Sequence, residues 1–190
     1  MSQAKTLTQS ELKQVLGYIA LGKHAVRNRA MVLTTVYAGM RVGEVASLRY
    51  EDVVDLKGQI RSEIRLDPDQ TKGRHGRVVF IGERLRKELQ TYVAKFPPKC
   101  LSHKLFYTQK RNADGWSSNT LCQFFFHLYK AAGIEGASSH SGRRTLLTSL
   151  SSKGVGIRVL MKIAGHRNLS TTIGYIDASD DQLRKAVELA

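Results

Sequence analysis

Apolar residues along the chain recur mostly at helical spacing, with one interval in which they alternate. Thr8-x-x-Glu11 reads as a capping box, and Leu12, Val15, Leu16, Ile19 and Ala20 follow on one helical face, predicting a first helix that ends near Gly22. From about 26 to 38 the pattern is apolar almost all round after Arg27 and Arg29, so a second helix is expected at the centre of the core, stopped by Gly39. A tight turn bounded by Gly39 and Gly43 then presents Arg41 and leads into a short helix with Val45 and Leu48 inward. Over 60–66 the period changes to two, with Ile60, Ser62, Ile64 and Leu66 on one side and Arg61, Glu63 and Arg65 on the other. Residues 78–81 form a second, wholly apolar strand. The turn-rich segment 67–77 between them makes a β-hairpin with a polar tip.

Helical spacing resumes over 83–95, with Leu85, Leu89, Tyr92, Val93 and Phe96 inward and Pro97-Pro98 ending the helix. Residues 108–117 read as a polar loop holding Trp116, followed by a cap at Ser117 or Ser118 and a fifth helix with Leu121, Phe124, Phe125 and Leu128 inward, stopping at Gly133. Ser138 or Ser139 caps the next helix, on which His140 and Arg143 share a face; Leu146, Leu147 and Leu150 form its apolar stripe, and Arg144 points about 100° away. Ile157, Leu160, Met161 and Ala164 mark a short helix before Gly165 turns the chain at His166. A last amphipathic helix is expected over 180–189. The fold class is α+β, mainly α-helical with a small antiparallel β-hairpin.

Composition narrows the partner. Lys and Arg number 30 against 16 Asp and Glu, a formal charge of +14 spread from end to end, which favours a surface that grips a polyanion. No apolar run approaches the roughly 20 residues that span a bilayer, and no signal peptide opens the chain, so a cytoplasmic protein without a membrane partner is expected. Cys100 and Cys122 fit reduced thiols. Zinc is a poor fit, because Cys122 and His127 lie five apart on a predicted helix and diverge.

Two imidazoles, an arginine pair and a phenol within a few dozen residues, in so basic a chain, point to chemistry on a phosphate. Arg41 and Arg143 offer fork geometry toward non-bridging oxygens that lysine lacks. Tyr175 is a candidate nucleophile, but a phenol with a pKa near ~10 needs a proton acceptor or positive surroundings. Glu44 stands where it could orient Arg41. Lys72, Arg74, His75 and Arg77 crowd the hairpin tip, which suits a DNA groove.

With Ala-Gly-Met-Arg41-x-Gly-Glu44, Lys72 in the hairpin turn, His140-x-x-Arg143, Gly165-His166 and Thr172-x-x-Tyr175 in order, the sequence closely resembles the catalytic domain of the tyrosine recombinases, the phage-integrase family. The resemblance runs from about Leu7 to Ala190. It implies a site-specific recombinase of double-stranded DNA, working without metal or cofactor through a 3′-phosphotyrosyl intermediate and a four-way junction. Tyr175 would attack phosphorus and His140 would accept its proton and touch the phosphate. His166 would donate to a non-bridging oxygen, and Lys72 would protonate the leaving 5′ oxygen, with Arg74 or His75 as the other candidates in that turn. Arg74, His75, Arg77 and Arg144 are taken as DNA contacts. Four protomers would assemble on DNA through the helix at 180–190, in a bacterial or phage-encoded protein that joins the nucleoid when bound. Gly142 departs from the family's usual leucine and could loosen helix packing. So few residues precede the motifs that 1–190 reads as one catalytic domain without a separate N-terminal core-binding domain in this chain, which is either a piece of a longer protein or a naturally small recombinase like some DNA invertases. A type IB topoisomerase-like relaxase, or a DNA-binding regulator with decayed catalysis, is the alternative.

Overall fold

The computed structural model describes residues 4–71, 74–108, 111–175, 183–184 and 187–188, without the side chains of 111–114. Helices α1 (Gln9–Ala20), α2 (Ala25–Ala38), α3 (Val42–Ser47) and α4 (Tyr50–Val53) lead into strand β1 (Glu63–Leu66) and, after a single 3₁₀ turn, β2 (Arg77–Phe80). Then come α5 (Glu83–Lys95), a second hairpin of β3 (Tyr107–Thr108) and β4 (Arg111–Gly115), α6 (Ser118–Ala131), α7 (Ser141–Ser152), α8 (Ile157–Ala164) and α9 (Leu169–Ile173). The molecule is mainly helical with two small antiparallel sheets.

Helix α1 starts as its sequence predicts. Thr8 N–H donates to Glu11 Oε2 at 2.9 Å, and Glu11 N–H returns a bond to Thr8 Oγ1 at 3.1 Å. Helix α2 runs through the centre, burying Met31, Val32, Leu33 and Val36. Thr34 and Thr35 are also fully buried there, because their hydroxyls donate back to the Ala30 and Val32 carbonyls. Helix α5 packs on one flank of α2 and α7 on another.

The first hairpin pairs Glu63 with Phe80 and Leu66 with Arg77, so its ladder is shorter than the alternation over 60–66; Ile60 instead bridges Val54. Strand β2 is two-sided: Val79 and Ile81 are buried while Val78 and Phe80 face outward. A continuous apolar run hid that alternation. The segment 108–117 is not a plain loop either, since 111–115 returns along 107–108. Its polar residues gave no period to read.

The apolar interior falls into two clusters. The larger unites α1 to α6 and the first hairpin; the smaller holds Leu147, Leu160 and Ala164, with Leu150, Val155, Ile163 and Tyr175 against it. Helix α7 contributes Leu147 to the smaller cluster and packs on α2 of the larger. Its first half meets α2 at Gly142, where any Cβ would overlap the Thr35 hydroxyl and crowd the Thr35 backbone. Gly142 therefore tightens the α2–α7 contact, the reverse of the loosening expected from the sequence. The N-terminal segment is tied to the same helix by Leu7 N–H donating to Thr145 Oγ1 at 2.8 Å.

Candidate active site

Arg143 lies at the seam between the clusters, only 1% exposed. Its Nη1 donates to the Gly39 carbonyl at 2.7 Å, and its Nη2 donates to the Ala164 carbonyl and to His166 Nε2, the latter at 2.8 Å. The guanidinium thus joins the end of α2 to the end of α8. Its Nε, also buried, has no acceptor among the described residues. Arg41 approaches from the turn before α3, with Nη2 donating to the Gly165 carbonyl at 3.3 Å. The two arginines therefore converge on consecutive carbonyls at the C-terminal end of α8.

Glu44 is the counter-ion, 1% exposed. Oε2 accepts the Arg41 backbone N–H at 2.7 Å and Oε1 accepts Arg41 Nη1 at 3.0 Å. Each oxygen also takes one bond from Arg77: Oε1 from Nε at 2.9 Å and Oε2 from Nη2 at 2.7 Å. Burial alone would raise the Glu44 pKa, but Arg77 and then Arg41 outweigh it and hold the carboxyl below its ordinary value. Three guanidiniums then face one carboxylate. Burial, Arg41 and Arg77 depress the Arg143 pKa, so its charge is held at a cost that a bound anion would relieve.

His166 is buried against this cluster. Arg143 has no acceptor atom, so His166 Nε2 must present its lone pair; Nδ1 then carries the proton toward Thr172 Oγ1, 3.0 Å away. Burial first, then Arg143, Arg41 and Arg77, push the His166 pKa down to about 4, keeping the ring neutral. In this arrangement His166 accepts, whereas the family resemblance implied a donor.

The Tyr175 ring lies 5.3 Å from the His166 ring, centroid to centroid, and the Arg144 guanidinium carbon sits 5.8 Å from the Tyr175 centroid. Helix α7 grips the same segment twice: Arg144 Nη1 donates to the Gly174 carbonyl at 3.2 Å and Thr148 Oγ1 to the Tyr175 carbonyl at 3.1 Å. His140, exposed at the cap of α7, stands on the wall of two clefts. One, of about 390 Å³, includes Arg144 and Tyr175; the other, of about 430 Å³, includes Arg41, Glu44 and the hydroxyl residues Ser47, Ser118 and Ser139.

The fold therefore brings Arg41, Glu44, His140, Arg143, His166 and Tyr175 to one seam. Two arginines are not where the sequence put them. Arg77, expected at the DNA-facing tip, turns inward with its side chain 9% exposed, because β2 begins at Arg77 and its pleat points that residue at Glu44. Arg144, also expected on DNA, is 8% exposed and covers Tyr175. Arg74 and His75 are exposed, Arg74 with φ 51, while Lys72 lies outside the described residues. Thr172, the His166 partner, carried no signal beyond its place in the Thr172-x-x-Tyr175 motif.

The model of the phage integrase family matches residues 5–182. The chain belongs to this family. Among curated members it is 32% identical over 189 residues to the tyrosine recombinase XerA of Thermococcus kodakarensis, covering 100% of this chain and 64% of that one. It is 29% identical over 187 residues to XerA of Pyrococcus furiosus, covering 98% and 62%. The chain thus spans less than two thirds of these relatives. A crystal structure of XerA recombinase superposes with a TM-score of 0.76 at 26% identity, over 100% of this chain and 66% of that chain. XerH site-specific recombinase bound to palindromic difH substrate, a post-cleavage complex, shares the fold with a TM-score of 0.74 at 23% identity, over 98% and 53%. Integrase family membership accounts for the order of the motifs along the chain. No helix among the described residues is long and apolar enough to cross a membrane.

Proposed function

We propose that the protein is a site-specific DNA recombinase that breaks and rejoins strands through Tyr175. The observation that carries this reading is the buried Arg143, paired with Arg41 across the end of α8 and bonded to a His166 whose ring lies against Tyr175. A scissile phosphate seated there would meet two guanidiniums, which gain most as negative charge builds on the non-bridging oxygens. The Tyr175 oxygen forms a bond to phosphorus as the bond to the 5′ oxygen breaks. His140 takes the phenol proton and Lys72 returns one to the leaving oxygen. The phosphate also replaces His166 as an acceptor for Arg143 and offsets the positive field, so His166 can take up a proton and donate. The product is a 3′-phosphotyrosyl linkage, and attack by a 5′-hydroxyl from another duplex reverses it. Energy is conserved in the ester, so neither metal nor nucleotide is called for.

Double-stranded DNA is the partner, with Arg74 and His75 on the exposed hairpin tip as contacts, and four copies act together on it. The helix expected over 180–190 as the link between copies lies largely outside the described residues; of its apolar positions, Leu183 and Val187 are exposed. The test uses a duplex that the protein enriches from a random-sequence pool, nicked so that the short 5′ end diffuses away after cleavage. A covalent adduct on a denaturing gel is expected from the wild type and none from Tyr175→Phe. An adduct that survives Tyr175→Phe would rule out this nucleophile.

A further inference from the structure

The inward Arg77 has a consequence for the site. We infer that Arg77 is a positioning residue that keeps Arg41 available to the phosphate by sharing Glu44 with it. The inference rests on the recombinase reading and deepens it. Each Glu44 oxygen takes one bond from Arg77 and one from Arg41, and of the two bonds from Arg41 one comes from the backbone. The Arg41 guanidinium therefore meets the carboxylate through a single nitrogen, Nη1. Remove the Arg77 fork, and a carboxylate 1% exposed is left with one cation. It would then close on Arg41 in the bidentate geometry that guanidiniums prefer, withdrawing donors from substrate.

Arg77 fixes a second distance. Its Nη1 donates to the Ile163 carbonyl at 2.9 Å, and its stem lies so close to Gly165 that a Cβ there would overlap Arg77 Cδ. Gly165, at φ 60, precedes His166, and its carbonyl accepts Arg41 Nη2. One side chain thus ties β2 to α3 through Glu44 and to the end of α8, where Arg41, Arg143 and His166 meet. Lysine at this position keeps the charge and most of the stem but cannot hold two carboxylate oxygens and a carbonyl in one plane.

The experiment is a double-mutant cycle on the same nicked duplex, with single-turnover adduct formation measured at saturating protein. Arg77→Met is expected to slow cleavage about 10- to 100-fold in the wild-type background. DNA affinity at fixed salt should stay within about 2-fold, since the Arg77 side chain is turned inward on Glu44. In an Arg41→Lys background the same substitution should cost at least about 3-fold less than in the wild type, because the Arg41 fork is already gone and only the tie to the end of α8 remains. Should Arg77→Met lose its thermal transition, Arg77→Lys carries the cycle, with a smaller first loss and the same reduction of effect beside Arg41→Lys. Equal fold losses in the two backgrounds would overturn the inference and leave the recombinase reading standing. Absence of any adduct from the wild type would overturn both.

Discussion

At the scale of single residues, the site is governed by how few acceptors among the described residues face its guanidiniums. Arg41, Arg77 and Arg143 surround one carboxylate, and backbone carbonyls of Gly39, Ala164 and Gly165 take up donors of Arg41 and Arg143. His166 registers its burial first and this field second. Its pKa falls from 6.5 to about 4, so between those values the unfolded chain binds the proton and the folded chain does not. Stability should therefore fall as pH drops from 6.5 toward 4, and His166 should contribute nothing to the slope above 6.5. Thermal midpoints of wild type and His166→Gln over that window provide the check. The variant should show the shallower dependence, and parallel curves would mean that His166 is not held neutral. Tyr175 belongs to the same neighbourhood, near both the His166 ring and the Arg144 guanidinium, and Arg144 is buried beside it.

Among the elements, α7 does the most to build the site. Its N-terminal half presents Arg143 to α2 and α8, its outer flank holds Arg144 and Thr148 on the Tyr175 segment, and its cap carries His140. All of this depends on how closely α7 approaches α2. Gly142 permits an approach that no larger residue allows, with Thr35 directly opposite. Restoring the family's usual leucine is thus expected to harm this protein: Gly142→Ala should cost about 1–3 kcal/mol by overpacking, and Gly142→Leu more. Urea unfolding should show a lower midpoint with an unchanged slope, since the packing is lost and not the two-state transition. An unchanged midpoint would mean that α7 can shift without penalty. The first hairpin shows the opposite division of labour. Its strands fix Arg77 inward, while its tip leaves Arg74 and His75 in solvent.

For the molecule as a whole, the proposed function makes grip and chemistry separable. With a formal charge of +14 spread along the chain, DNA affinity should fall steeply with salt, about 10³-fold or more between 50 and 200 mM for 6–10 phosphate contacts. Arg143→Ala should leave binding at low salt near wild type yet abolish adduct formation, because the grip is distributed and the transition-state charge is met at one seam. Titrations by fluorescence anisotropy beside the cleavage gel separate the two, and equal loss of both would assign Arg143 to folding. The seam itself lies where α7, packed on α2 of the large apolar cluster, contributes Leu147 to the small one. The sequence by itself determined the helices with clear periods, the hairpin, the basic surface and the order of Arg41, His140, Arg143, His166 and Tyr175, because periodicity and motif spacing are local properties. Tertiary structure alone decided that Arg77 and Arg144 turn inward, that 111–115 pairs with 107–108, that Gly142 is a contact and that His166 accepts from Arg143. The hairpin at 107–115 is local but offers no period to read, whereas the side chains depend on partners distant along the chain: Glu44 for Arg77, Tyr175 for Arg144, Thr35 for Gly142. No local pattern encodes which distant group a side chain will meet.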